Sequence, residues 1–380
     1  MTVATMSHLI NEPLLATDMP VVSLYLENTY KQGFDGMKLQ LKNLTKDAVS
    51  QLEQSWPEVD SDPYAQLLRT LRHTPIEFAV LSGQSVAVFT DGEHYQIKGL
   101  PQVVATQVHV GELPFVIPLV AAAAHAGDFD ILALQGDQMD IYTVHDGMLA
   151  HLELPEGAPV TLQEALGYET TDGALNSVVM GSGNVMYHGH GSTEEEKDLD
   201  RSRYYKVISD YITTNISHPH GHPLILVGLA DNVDAFAAIT DNPQVISALM
   251  VKQDPSGFGR KDWLGLVAHT GKRLADWRQR QGCSRFEDAM DGKRALLDLG
   301  QMIEAFNHHA VGELLIQKGA HQAGRWHDGE VDTESARGQA NNLVNDLAAL
   351  TLAQGGRVTV LDQGCLPKPY VTLTRYAMGE

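Results

Sequence analysis

Cysteine is scarce. Two residues, Cys283 and Cys365, stand in a chain of 380, which excludes a disulfide-dense secreted scaffold and a Cys-rich zinc module. The plain reading of the pair is two reduced thiols in a cytoplasmic protein. Basic charge is also short, with 27 Lys and Arg against 48 Asp and Glu and a formal net charge of -21. Such a chain is soluble and self-repelling, and it does not adhere generically to nucleic acid or to anionic membrane. No Lys or Arg occurs between Lys98 and Lys197. Long apolar runs are missing too. The longest, Phe115 to Ala126, contains Pro118 and His125 and falls well short of the roughly 20 residues that cross a bilayer. Residues 1 to 20 carry Glu12 and Asp18 and no cation, so no signal peptide is expected. There is no G-x-S-x-G nucleophile elbow and no G-x-G-x-x-G following a strand.

What remains is a globular α/β and α+β chain whose length predicts two to three domains. Val21 to Leu26 reads as a strand. Met37, Leu41, Leu44, Ala48 and Leu52 recur at helical spacing. Glu77 to Leu81 and Val86 to Thr90 read as a hairpin turning at Ser82-Gly83-Gln84, extended by His94 to Lys98. A small-residue helix at Phe115 to Ala126 leads to three strands, Phe129 to Leu134, Met139 to Val144 and Met148 to Leu154. A Gly-rich stretch, 181 to 191, precedes a long helix, Thr193 to Ile216, whose first turn carries Glu194, Glu195 and Glu196. Leu224 to Val227 is a buried strand and Lys261 to Arg280 a helix with Trp263 and Trp277 on its apolar face. The last hundred residues give a helix (Leu296 to His308), a strand (Val311 to Ile316) and a mobile polar stretch (Gly319 to Gly329). A helix (Thr333 to Ala353) and strands Arg357 to Leu361 and Tyr370 to Arg375 follow. Domain boundaries are expected at 1–123, 124–282 and 283–380.

The most unusual segment is Tyr187-His188-Gly189-His190-Gly191-Ser192-Thr193. Glycine lets a backbone approach another closely, and imidazole moves protons near neutral pH; the bland alternative is a solvated loop. A phosphate site at the following helix start is disfavoured by the three glutamates there. The first cations after the long gap, Lys197, Arg201, Arg203 and Lys206, lie directly behind this loop. Lys38, Lys42 and Lys46 share one helix face, with Lys31 just before it; they form either a solvated face or a phosphate-contacting ridge. His188/His190 and His218/His220/His222 are two histidine clusters. Neither sits on an evident firm element or near a cysteine, so no metal and no cofactor is expected.

In order, FDILALQGDQMDIYTVHDGMLAHLEL (129 to 154), HGHGST (188 to 193), RSRYYKVISDYI (201 to 212), PLILVGLADNVDAF (223 to 236), RALLDLGQMIEAFNHHAVGELLI (294 to 316) and YVTLTRY (370 to 376) resemble the archaeo-eukaryotic peptide-chain release factor and Pelota family. The resemblance is strongest to the bacterial branch and its ribosome-hibernation member. It implies a divergent α+β N-terminal domain, an RNase H-like central domain and a ribosomal-L7Ae-like α/β/α C-terminal domain. It also implies a monomer that enters the ribosomal A site, contacts rRNA and ribosomal proteins of both subunits, and meets a translational GTPase, EF-Tu in bacteria; no DNA and no membrane partner is implied. In the release factors of that family a Gly-Gly-Gln positions the water that hydrolyses peptidyl-tRNA. Aligned from His188, those positions are Gly191, Ser192 and Thr193, and Gly-Gly-Gln occurs nowhere in the chain. The resemblance therefore implies a non-enzymatic factor that occupies and protects idle or stalled ribosomes. Residues 187 to 193 would reach the peptidyl-transferase centre; Lys197, Arg201, Arg203, Lys206, Lys31, Lys38, Lys42 and Lys46 would contact rRNA. The alternative is a rescue hydrolase, or an RNA-cleaving factor, using His188 or His190.

Overall fold

The computed structural model describes residues 9–377 apart from 80, 82, 126, 146, 168–191 and 363. The chain forms two compact units: residues 127–274 make one, and the segments on either side make the other.

In the unit flanking the centre, β1 (Val21–Glu27), β2 (Ser85–Thr90), β3 (Tyr95–Leu100) and β4 (Gln107–Gly111) form an antiparallel sheet in the order β3-β2-β1-β4. Helix α1 (Phe34–Ser55) buries Met37, Leu41, Leu44, Ala48 and Leu52, the residues its periodicity marks, and α2 (Asp62–Arg72) packs beside it. The strand expected at Glu77 to Leu81 is instead a short helix, α3 (Pro75–Ala79). Pro75 suits a first helical turn, and β2 finds its partners in β1 and β3. Helix α4 (Ile117–His125) follows β4.

The C-terminal part of the same unit holds β9 (Ala295–Leu296), β10 (Val311–Gln317), β13 (Arg357–Leu361) and β14 (Tyr370–Thr374) in the order β13-β10-β14-β9, with β10 and β13 parallel. Its helices are α9 (Leu299–Asn307), α10 (Ala336–Ala340) and α11 (Leu343–Ala353). One hydrophobic cluster runs through both parts of the unit, from Val21, Tyr25 and Phe89 to Leu314, Val344 and Leu347. The stretch expected to be mobile at Gly319 to Gly329 contains half of a hairpin, β11 (Arg325–His327) with β12 (Glu330–Asp332), which turns at Asp328-Gly329 with both φ angles positive. The helix expected over Thr333 to Ala353 is split, because Ser335 caps α10 and Asn342 caps α11, each through a side-chain oxygen. The two cysteines are also not separate thiols. Helix α8 (Arg260–Asp291) runs past Arg280 and brings Cys283 to Cys365 at a Cα separation of 5.8 Å, where they form a disulfide.

The central unit is built on β5 (Phe129–Leu134), β6 (Met139–His145), β7 (Met148–His151) and β8 (Leu224–Gly228). The order is β7-β6-β5-β8, antiparallel through the meander and parallel between β5 and β8. Val245 and Val251 add parallel bridges to the outer side of β8. This is the strand order of an RNase H-like sheet. Strands β5 and β8 are buried along their whole length, as parallel pairing under helices requires. Besides the short α5 (Leu162–Leu166), helices α6 (Ser192–Ile212) and α7 (Ala230–Ile239) belong to this unit. Tyr204, Tyr205, Ile208 and Ile212 of α6 join Leu132, Leu134, Leu226 and Phe236 in its core.

Candidate functional site

The site expected from sequence begins at the Gly-His loop. Tyr187, His188, Gly189, His190 and Gly191 lie outside the described residues. Ser192 and Thr193 open α6. That helix is fixed by its buried face. The Tyr204 hydroxyl donates to the Val160 carbonyl at 2.6 Å and the Tyr205 hydroxyl to the Gln135 carbonyl at 3.0 Å. Burial pushes the Tyr205 phenol up to about 12 and Tyr204 further still, so both remain neutral donors.

The cations of α6 lie along its length, and acids accompany them. Arg201 pairs with Asp198, Arg203 with Asp200 at 3.5 Å, and Lys206 with Asp210 at 3.2 Å and Asp241 at 3.8 Å. Lys197 is exposed. The band is therefore one of alternating charge rather than a bare basic ridge. Exposed pairs of this kind contribute at most about 1 kcal/mol, so a phosphate can compete with the carboxylates for the same cations. On α1, Lys42 and Lys46 are exposed, whereas Lys38 pairs with Asp35 at 3.3 Å and lies over the Phe34 ring at 5.5 Å. Lys31 is exposed in the turn before α1.

A second constellation joins two of the histidines visible in the sequence to a carboxylate that was not. Asp130, in β5, pairs in register with Thr143 of β6 and with Leu224 of β8. Its backbone N–H donates to the Pro223 carbonyl at 2.8 Å, so the residues entering β8 pass directly over it. Upstream, α6 continues as a π-helical turn (Thr213–Ser217) and a last short turn, His218–His220, which stops at Gly221 in the left-handed region. The Gly221 N–H bonds to the Ser217 carbonyl at 2.9 Å, and Asn242 Nδ2 donates to Ser217 Oγ at 2.8 Å. This scaffold sets His220 and His222 on either side of Gly221 and both toward Asp130. His220 Nδ1 donates to Asp130 Oδ2 at 2.9 Å; a carboxylate only accepts, so Nδ1 carries the proton. His222 Nδ1 stands 3.6 Å from Asp130 Oδ1. The side chain of Asp130 is 1% exposed and those of His220 and His222 are 30% and 29% exposed. Burial raises the Asp130 carboxyl, but His222, His220 and Thr143 together outweigh it and hold the group below the usual carboxylate range.

The histidines of this cluster stood out in the sequence, but their carboxylate did not. The reading that neither histidine cluster has a firm support is corrected for His220 and His222: their support is β5. His218, the third member of the run, is exposed on the last turn of its helix and outside the group. The available signal was Asp130 itself, a single charge inside the otherwise apolar run FDILAL, because a buried strand keeps a charge only where something pairs with it.

Residues 127–265 match the family model described as bacterial archaeo-eukaryotic release factor family 6. Among solved structures, the chain is similar to Dom34 of S. cerevisiae, described as a translation termination-like factor involved in RNA quality control and interacting with Hbs1. Identity is 12%, over 80% of this chain and 78% of that one, with a TM-score of 0.38. It is also similar to archaeal Pelota in a model of its ribosome-bound form with ABCE1 (13% identity, 77% and 72% covered, TM-score 0.39). A third likeness is to Pelota of Archaeoglobus fulgidus (11% identity, 77% and 79% covered, TM-score 0.30). No curated protein sequence matches significantly. No helix among the described residues is long and apolar enough to cross a membrane.

Proposed function

We propose, from a central segment that belongs to the bacterial archaeo-eukaryotic release factor family, that this protein is a translation factor that occupies the ribosomal A site and shields idle or stalled ribosomes without hydrolysing peptidyl-tRNA. The family match over residues 127–265 carries the reading. Two features of the chain support its finer parts. The loop that would reach the peptidyl-transferase centre, residues 187 to 193, has Gly191, Ser192 and Thr193 where hydrolytic members have Gly-Gly-Gln. A threonine hydroxyl is shorter than a glutamine side chain and lacks the amide's separate carbonyl and NH2 geometry, so the group that positions the hydrolytic water in those members is missing. Directly behind that loop, α6 carries Lys197, Arg201, Arg203 and Lys206, Arg201 half-buried and the other three exposed, in a chain that is otherwise strongly acidic.

In this reading the cations of α6 exchange their aspartate partners for rRNA phosphates, and Lys31, Lys38, Lys42 and Lys46 make the weaker contacts on the decoding side. Contact with the ribosome extends to rRNA and proteins of both subunits, with a translational GTPase, EF-Tu, as a further partner. The test is the quadruple variant K197A/R201A/R203A/K206A. Its affinity for vacant ribosomes should fall, and the slope of log affinity against log salt should flatten by about 0.7–0.9 for each rRNA phosphate that is no longer neutralised. Unchanged affinity and slope would remove these residues from the interface.

A further inference from the structure

We infer that Asp130, His220 and His222 form a binding site for a first-row divalent cation of the zinc type. A ring nitrogen from each histidine and one carboxylate oxygen lie within 4.8 Å of one another, close enough for small rotations to bring all three onto one ion. Two imidazoles and one carboxylate suit zinc, cobalt or ferrous iron, whereas magnesium and calcium take all-oxygen sets. The charge is appropriate, since one buried carboxylate and two neutral imidazoles leave a divalent ion only partly neutralised and able to hold a further ligand.

The supports are those of a built site. Asp130 is fixed by strand pairing on both sides, through Thr143 and Leu224. The turn that carries the histidines is fixed separately, by Asn242 on Ser217 and by the bond from Gly221 to the Ser217 carbonyl. Gly221 has a φ of +65°, so the chain reverses between the two histidines and presents both rings to one carboxylate, with ring centroids 5.5 Å apart. The buried carboxylate forms the floor, and the two partly exposed imidazoles form a rim open to solvent. Three protein ligands with an open side are the arrangement that leaves a coordination position for water or another donor. A cation bound there ties the end of the α6 segment and the entry to β8 onto β5, three elements of the same unit.

Titrating the full chain, first stripped with chelator, with zinc ions alone tests the site by calorimetry and by bound metal after gel filtration. Cobalt then serves as a spectroscopic probe of the ligand field. We expect one tight zinc per chain, a rise in unfolding temperature on loading, and visible absorption from bound cobalt. H220N and H222N should each weaken binding at least tenfold and abolish the cobalt bands, while H218N, next to the site but outside it, binds as the parent does. D130N should behave like the histidine variants; if it fails to fold, H222N decides alone, because that side chain is partly exposed. Absence of stoichiometric zinc, or zinc binding that survives both H220N and H222N, would overturn the site. Neither outcome depends on ribosome binding.

Discussion

Asp130 and His220 are 90 residues apart in the chain and 2.9 Å apart in the fold. The contact exists because β8 pairs in parallel with β5, so the turn entering β8 arrives over the first residues of β5. The carboxylate organises that turn even in the absence of any ion. D130A in chelator should therefore lower the stability of the unit by about 1–3 kcal/mol, the cost of orphaning buried polar partners. Thermal unfolding of the chelated protein measures it, and a parent-like midpoint would show that the pairing contributes nothing to stability.

Asn345 is a comparable device in the other unit. Its Oδ1 accepts from the Val116 N–H at 2.8 Å and its Nδ2 donates to the Pro114 carbonyl at 3.0 Å, both fully inside. It lies on the helix that buries Val344 and Leu347 in the cluster shared with β1 and β2. N345A leaves two buried backbone groups without partners, and we expect a loss of about 2–4 kcal/mol. Denaturant unfolding measures it. A loss below about 0.5 kcal/mol, the range of ordinary surface substitutions, would mean that water replaces the side chain.

Asp346, next to it, gives a pH signature. Burial pushes its carboxyl up to about 7, although it accepts from the Trp326 N–H at 2.9 Å and from Asn341 Nδ2 at 2.7 Å. The folded state therefore holds the proton more tightly than the unfolded chain. Its contribution is complete below the unfolded carboxylate range and is lost as pH rises toward about 7. D346N keeps an acceptor and never ionises, so its advantage over the parent should grow from pH 5 to pH 8, reaching on the order of a few kcal/mol. His109 works in the opposite direction. Burial lowers its imidazole to about 4, which costs stability as pH falls below the usual histidine range. The difference between parent and variant isolates Asp346; a difference that stays constant with pH would contradict the assignment.

The bond between Cys283 and Cys365 spans a sequence separation of 82. Closing a loop of that size restricts the unfolded chain and contributes about 2–4 kcal/mol. Reduction, or C283S, should lower the unfolding midpoint accordingly, and thiol titration of the unreduced, denatured protein should find no free thiol. Two titratable thiols in protein kept oxidised would show that the pair is open.

What could be read from the sequence follows the range of the interactions. Elements set by local periodicity were legible: the buried positions of α1, the meander β5 to β7 and the strand β8 lie close to where their patterns put them. Elements decided by capping or distant pairing were not. Pro75 begins a helix where an apolar run suggested a strand, Ser335 and Asn342 divide one expected helix into two, and Asp328-Gly329 turns a hairpin inside a stretch read as mobile. The cations of α6 were visible as residues, but their pairing with Asp198, Asp200, Asp210 and Asp241 was not. The Asp130 cluster and the disulfide have the same cause, since each joins residues that only the tertiary fold brings together.

Co-sedimentation with vacant bacterial ribosomes across rising salt, with peptidyl-tRNA release assayed on the same preparation, tests A-site occupancy most directly. The prediction is saturable binding at low salt that weakens steadily as salt rises, with no peptide released. Release of peptide would contradict a purely occupying role, and no binding at low salt, with EF-Tu and guanine nucleotide present, would contradict a ribosomal function altogether.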